Sequence, residues 1–505
     1  MIRSVSLLAL VMSGAATPVA ADTLRDALAR AYNDNPTITG SRAQQRATDE
    51  NVPIAKANGR PSINANGSLN ENLIRGGNSF TTPQRNGQAQ LALNVPIFQG
   101  GAVKNAVRAA ETRVEAGQAG LRGTEASLFT EVVGAYNDVI RDEAIVGLNT
   151  QNVRVLDTNL TASRDRFQVG DLTRTDVAQS EARLSLARAQ LQTAQANLIA
   201  SRENYIRLVG AAPGVLEAPP VLPNLPASPD TAVDVAIRNN PQLLAAQRAR
   251  DATAFDVRVA RASRLPTVGV GVGQNYQNFF GSLGAGQSTG GSGVPQSGTS
   301  TSVGLNLTLP IFQGGRPAAQ IRQAQALRAQ AIENTTLAER QVVSSTRSAF
   351  AIWRSSLEVI KSSETAVSAN RLSLEGVRAE NSVGNRTILD ILNAEQELLN
   401  SQVTLVTARR DAYVAGFALL AAMGEAEARD LGLDGGPLYD PAVNYDAVKN
   451  RIMDYGTGDA PQPIAPSTVS VPAQTSVVTR PLDPMLNSAV DRNAPLTTGE
   501  NSPNR

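Results

Sequence analysis

The sequence predicts a mixed α and β chain built twice over, each half holding a short helical segment, a pair of extended strands and two very long helices. Three observations predict it. Pro-Ile-Phe-Gln-Gly-Gly stands at residues 96–101 and again, unchanged, at 310–315, an offset of 214. Val169-Gly170 followed by Asp176 and Glu181 recurs at the same offset as Val383-Gly384, Asp390 and Glu395. No proline interrupts the stretches between Pro96 and Pro213 or between Pro317 and Pro437. Two motifs sharing one offset establish an internal duplication, and proline-free tracts of that length call for an elongated helical architecture.

At the start, Arg3, the apolar run 5–11 and the small residues Val19, Ala20 and Ala21 read as a secretory signal over 1–21, with the mature chain beginning near Asp22. The run is too short to span a bilayer, and no later stretch reaches the eighteen or more apolar residues a membrane helix needs. An exported protein without a helical span is either soluble or a membrane β-barrel. The first repeat then covers 22–230 and the second 231–436.

Each repeat opens on a capping-box pattern, Thr23 with Asp26 and Thr231 with Asp234, ahead of a helical segment running to Pro61 or Pro266. Two extended stretches follow, 62–73 and 88–98 in the first half, 267–280 and 301–312 in the second. The alternation Val303-Gly304-Leu305-Asn306-Leu307-Thr308-Leu309 puts apolar residues on one face. A tract rich in Gly and Ser, 281–300, separates the second pair as a flexible loop. Upstream matches at Asn35-Pro36 and Asn240-Pro241 sit at an offset of 205, so the second half carries an insertion in this loop.

After each Gly-Gly a helix of roughly 60 residues would extend about 90 Å. The helices beyond the Val-Gly motifs carry heptads. Val177, Leu184, Leu191, Leu198 and Tyr205 alternate with Ser180, Ala187, Ala194, Ser201 and Leu208. Ile391, Leu398, Leu405, Ala412 and Leu419 repeat the register with Ala394, Ser401, Ala408, Ala415 and Ala422. Residues 437–505, rich in Pro, Ser, Thr and Asn and without periodicity, read as a disordered tail.

Composition excludes several function classes. With 46 basic and 45 acidic residues there is no basic excess for a nucleic-acid partner. The chain has no histidine and no cysteine, which removes the usual general bases, thiol nucleophiles and most zinc sites, and no phosphate-binding Gly-x-x-x-x-Gly-Lys is present. No enzyme, metal or cofactor is expected. Four strands cannot close a membrane barrel alone, since the smallest barrels have about eight and open edges are excluded from lipid. A membrane reading therefore demands an oligomer; two chains would barely close and three would give twelve strands. Phe98, Phe312, Tyr276, Phe279 and Phe280 fall at strand ends, as an interfacial aromatic belt or the core of a small soluble β-domain would have them.

The duplicated halves, the repeated hexapeptide and Val-Gly-Asn-Arg-Thr-Ile-Leu-Asp-Ile-Leu at 383–392 resemble the TolC family of outer-membrane efflux proteins. The resemblance implies a homotrimer in the outer membrane of a Gram-negative bacterium, with a twelve-stranded barrel in lipid and a helical coiled-coil barrel in the periplasm. It further implies a passive exit duct of a tripartite efflux pump or a type I secretion system, with a periplasmic adaptor protein and an inner-membrane transporter as partners. A soluble periplasmic spacer or adaptor is the competing reading; it would share the long helices but has no need of paired strands.

The resemblance also places a pore constriction at the periplasmic tip, at the turns Val169-Gly170-Asp171-Leu172-Thr173 and Val383-Gly384-Asn385-Arg386-Thr387. It puts Asp390 in a ring of carboxylates there, and Arg386 in a latch with Thr175 and Asp176 of a neighbouring helix. Where the family has a second carboxylate this chain has Asn393, and Asn381 stands where the latch has a tyrosine. Val169, Gly170, Val383, Gly384, Asn385 and Thr387 are the expected adaptor contacts.

Overall fold

A computed structural model describes residues 22–74, 83–282, 295–432, 438–456, 458, 460–484 and 486. The expected signal segment 1–21, much of the loop 281–300 and the end of the tail lie outside the described residues.

The first repeat begins with α1 (Leu24–Asp34), α2 (Pro36–Asp49) and α3 (Asn51–Ala57). Thr23 caps α1 through a reciprocal box with Asp26, and Asn35 caps α2 with Pro36 at its first position. Strands β1 (Ser62–Glu71) and β2 (Arg85–Gln99) follow, then α4 (Ala102–Gln168) and α5 (Arg174–Val209). The second repeat has α6 (Pro229–Asn239), α7 (Pro241–Ala262), β3 (Thr267–Asn278), β4 (Ser297–Thr308), α8 (Arg316–Ser382) and α9 (Ile388–Met423). At 67 residues each, α4 and α8 run about 100 Å.

Two expectations are corrected here. The second repeat is capped by Ser228 with Thr231, not by Thr231 with Asp234, because Pro229 fits the first helical position and starts α6 three residues earlier. The tail is not structureless from 437. It forms α10 (Pro441–Val448) and then an extended segment laid along α5, α4 and α9, ending in the described region at the buried Leu486. Its order comes from the helices: Arg202 donates to the carbonyls of Thr475 and Val477, and Gln402 to that of Leu486.

The strands form one antiparallel sheet in the order β1-β2-β3-β4. Register places Ile63 opposite Leu93, Leu93 opposite Val272 and Val272 opposite Val303, so apolar residues stack across all four strands on one face. Asn64, Ala92, Gly273 and Ser302 line up on the other face, with Asn66, Gln90, Asn275 and Ser300 beside them. The first face is mainly apolar, with Gln274, Thr299 and Thr301 toward one end, and the second is polar. No described element covers either, and β1 and β4 are exposed along their whole length.

The repeated hexapeptide behaves differently in the two halves. In β2 it stays in the sheet to Gln99, with a bulge between Pro96 and Phe98 that absorbs the missing proline N–H and returns Phe98 to the apolar face opposite Val268. In β4, an edge strand with β3 alone beside it, pairing stops at Thr308. Phe312 then lies beyond the strand and is exposed.

The heptads pack as the spacing predicts: Leu184, Ala187, Ala194, Leu198, Tyr205 and Leu208 are buried, as are Ile391, Leu398, Leu405, Ala412 and Leu419. Midway along the helices, α1 and the linker between the repeats close over α4. Asp22 bridges to Leu216, and the Tyr136 hydroxyl lies 2.9 Å from the carbonyls of both Asp22 and Glu217.

Candidate functional site

The helical end remote from the sheet carries two turns closed by matching backbone angles and hydrogen bonds. Each long helix stops in the same way. Gly170 and Gly384 adopt φ of 84° and 83°, a left-handed conformation that costs a side-chain-bearing residue about 1–2 kcal/mol. The amide of Asp171 bonds to the carbonyl of Arg166 at 2.9 Å and that of Asn385 to Glu380 at 2.9 Å, while Gly170 bonds back to Phe167 and Gly384 to Asn381. This paired closure satisfies carbonyls that a helix end otherwise leaves open.

Three residues on, Thr173 and Thr387 start the next helix with reciprocal boxes to Asp176 and Asp390. The Thr387 amide and hydroxyl donate to Asp390 Oδ2 at 2.9 and 2.8 Å. These donors, the backbone N–H first, hold the Asp390 carboxyl below its ordinary range, so it is ionised at neutral pH. Asp390 Oδ1 has no protein partner among the described residues and is left for solvent or a solute. The aspartate is thus a helix-starting residue in both halves before it is anything else.

The turns differ in what surrounds them. Arg386 Nε donates to Glu380 Oε2 at 2.7 Å, a bond that raises the already high guanidinium pKa, and the Asn381 side chain donates to the Arg386 carbonyl at 2.7 Å. No bond joins Arg386 to Thr175 or Asp176 within the described residues. Thr175 is exposed, and Asp176 is engaged by Thr173 at 2.7 and 2.9 Å. Asn393 accepts from Arg183 at 2.8 Å, a link between α9 and α5. Val169 and Val383 project at the two turns, 81% and 71% exposed.

One pair at this end escaped the sequence reading. Arg378 of α8 binds Glu395 of α9, and Glu395 is almost fully buried. Its repeat counterpart, Arg164 with Glu181, is a loose surface pair at 3.8 Å. Glu181 and Glu395 were visible as repeat-matched residues; the signal overlooked was that Arg164 and Arg378 share the same 214-residue offset.

Comparison with known proteins agrees with this architecture. The model of the family described as outer membrane efflux protein matches twice, at residues 27–211 and 232–425, one match per repeat. The chain is 35% identical over 438 residues to the outer membrane efflux protein BepC of Brucella suis biovar 1, covering 87% of this chain and 93% of that one. It is 26% identical over 483 residues to the outer membrane protein TolC of Escherichia coli, covering 92% and 96%. The crystal structure of the Campylobacter jejuni CmeC outer membrane channel superimposes with a TM-score of 0.71 at 15% identity, covering 85% of this chain and 89% of that one, a likeness of fold alone. Family match, a relative covered nearly end to end and a shared channel fold leave one assignment: the chain belongs to the outer membrane efflux protein family.

Proposed function

We propose that three copies of this chain close a twelve-stranded barrel in the outer membrane and a helical tunnel beneath it, forming the exit duct of a tripartite efflux pump or a type I secretion system. The observation that carries this reading is the naked sheet. It has one apolar face, one polar face and two unpaired edges, and it runs straight into helices about 100 Å long. Unpaired edges have no place in lipid, so the sheet must join copies of itself; the apolar face then meets hydrocarbon and the amide-rich face a water-filled lumen. A soluble spacer would leave that apolar face in water without purpose.

Conduction in this reading is passive, and the tip turns form the constriction. Three Asp390 carboxylates around one axis repel one another and attract cations, while Asn393 adds no charge. The exposed Val169 and Val383, with Gly170, Gly384, Asn385 and Thr387, present a ring of small uncharged contacts suited to a periplasmic adaptor protein, which in turn joins the duct to an inner-membrane transporter. Arg386 Nε is held by Glu380, and its remaining guanidinium N–H groups are the donors it would offer to Thr175 and Asp176 of a neighbour.

The first test is the native mass of the detergent-solubilised protein, expected at three chains; a monomer after gentle extraction would sink the duct. Pore recordings with Asp390→Asn are expected to show reduced preference for cations. Replacing Gly170 and Gly384 with valine is expected to lower adaptor crosslinking, and unchanged crosslinking would remove the turns from the contact.

A further inference from the structure

The extended segment 466–486 touches three different helices in turn as it descends. Pro466 lies against Gly210 at the end of α5. The amide of Gln474 donates to Glu203 at 3.0 Å, and Arg202 donates to the carbonyls of Thr475 and Val477 at 2.5 and 2.8 Å. Next the segment crosses to α4, where Thr479 bonds to Glu143 at 3.0 Å and Leu482 packs on Gly147, which has no side chain to keep it off. On α9 the Asp483 carboxylate meets Arg409 at 2.8 Å and the Leu486 carbonyl accepts from Gln402 at 2.7 Å.

These helix residues are chosen for an extended chain. Arg202 and Glu143 form a 2.5 Å ion pair whose side chains are 7% and 3% exposed, and Gln402 is fully buried. Buried charges and amides are costly without partners, and here the segment's own carbonyls accept from both terminal nitrogens of Arg202 and from Gln402 Nε2. Leu486 fills the core shared by α4, α5, α8 and α9, with Leu148, Leu398 and Leu405. Between the Arg202 and Leu486 holds lies a cavity of about 490 Å³ lined by Asn137, Arg141, Val406, Tyr413 and Arg480, so the segment grips at clasps and not along its whole length.

We propose that residues 466–486 are a strap that holds the α4–α5 pair against α9 and opposes separation of the two coiled-coil pairs at the tip. Direct bonding between α5 and α9 is slight, the Arg183–Asn393 bond being the one described. α4 meets α9 directly, Asp138 pairing with Arg410 at 2.8 Å, so the strap adds its hold on the side where α5 faces α9. Gln402 stands 14 residues above the start of α9, about 20 Å from the tip, close enough for a restraint there to limit how far the tip parts. The consequence for opening rests on the duct reading; the clamping itself does not.

The chain has no native cysteine, so introduced ones report cleanly. Arg183→Cys and Asn393→Cys would be joined by a short bismaleimide in the trimer, in the full chain and in one lacking 461–505. Strap loss is expected to lower crosslink yield severalfold and raise single-channel conductance. Unchanged yield overturns the strap. Lowered yield with unchanged conductance upholds the strap and counts instead against a constriction at the tip. Should the shortened chain fail to assemble, Gly147→Phe in the full chain displaces Leu482, and release is read as elastase cleavage after Val478. A released strap with unchanged yield, or a strap that stays protected because Leu482 does not hold it, likewise overturns the proposal.

Discussion

Helices α4 and α8 have the same length, the same place in their repeats and opposite fates. α4 buries 26 of its residues within the chain, among them Phe129, Val132, Val133 and Tyr136; α8 buries seven. α4 is enclosed by α1, α2, α5, α7, α9 and the strap, whereas α8 keeps Leu337, Ile352, Leu357 and Leu372 on the surface. Local sequence made two equal helices; neighbours made one a core element and the other a rim. A helix with that many exposed apolar residues is suited to an interface, and the exposed β4 just ahead of it in sequence says the same of the sheet.

The sharpest way to break the comparison is to place a carboxylate on each helix. Val133→Asp buries an unpaired charge in α4 and is expected to cost about 4 kcal/mol or more, preventing folding of the protomer. Ile352→Asp, at a site 56% exposed within the chain, is expected to leave helix content intact and abolish the proposed trimer. Circular dichroism with native mass reads both; a normal trimer from Ile352→Asp would mean that this part of α8 faces water.

Glycines refine it at smaller amplitude. A methyl at Gly376 of α8 meets nothing within the chain, and Gly376→Ala is expected to stabilise by about 0.5–1 kcal/mol through backbone entropy. The same change at Gly147 of α4 brings Cβ to 3.1–3.4 Å from three Leu482 carbons, and the gain is expected to vanish. Urea midpoints measure both. A loss at Gly376 would reveal a neighbouring protomer's backbone close against it.

The smallest effect is at the tip. Thr387→Val keeps the backbone N–H bond to Asp390 but removes the hydroxyl donor, so the lowered carboxyl pKa rises toward its ordinary value. A depressed carboxyl keeps its charge, and its contribution to the cap, above its unfolded pKa and loses both as pH falls through the folded one. Cation preference in Thr387→Val is therefore expected to disappear at a higher pH than in the parent, by current–voltage reversal potentials.

Much of this was legible in the residues. Period-two alternation marked the strands because one face is apolar and the other is not, and proline-free heptads marked the helices because coiled coils need both. Val-Gly with Thr three residues after the glycine marked each turn through purely local chemistry. The strap was missed because an extended chain has no internal bonds and so no period; what orders it is Arg202 and Gln402, more than 80 residues away or across the repeats. Within the protomer Arg386 pairs with Glu380, six residues away across the same turn, a local contact the sequence reading did not name. The start of α6 moved because Pro229 was a stronger local instruction than the repeat.

The inner face of the sheet, with its asparagines, glutamines, serines and glycines, carries no charge along Asn64, Asn66, Gln88, Gln90, Asn94, Asn275, Gln277 and Asn306. In the proposed duct, a solute passing that wall would find no electrostatic foothold on it and no greasy one. In such a duct, width and not chemistry would ration the last stretch of the journey.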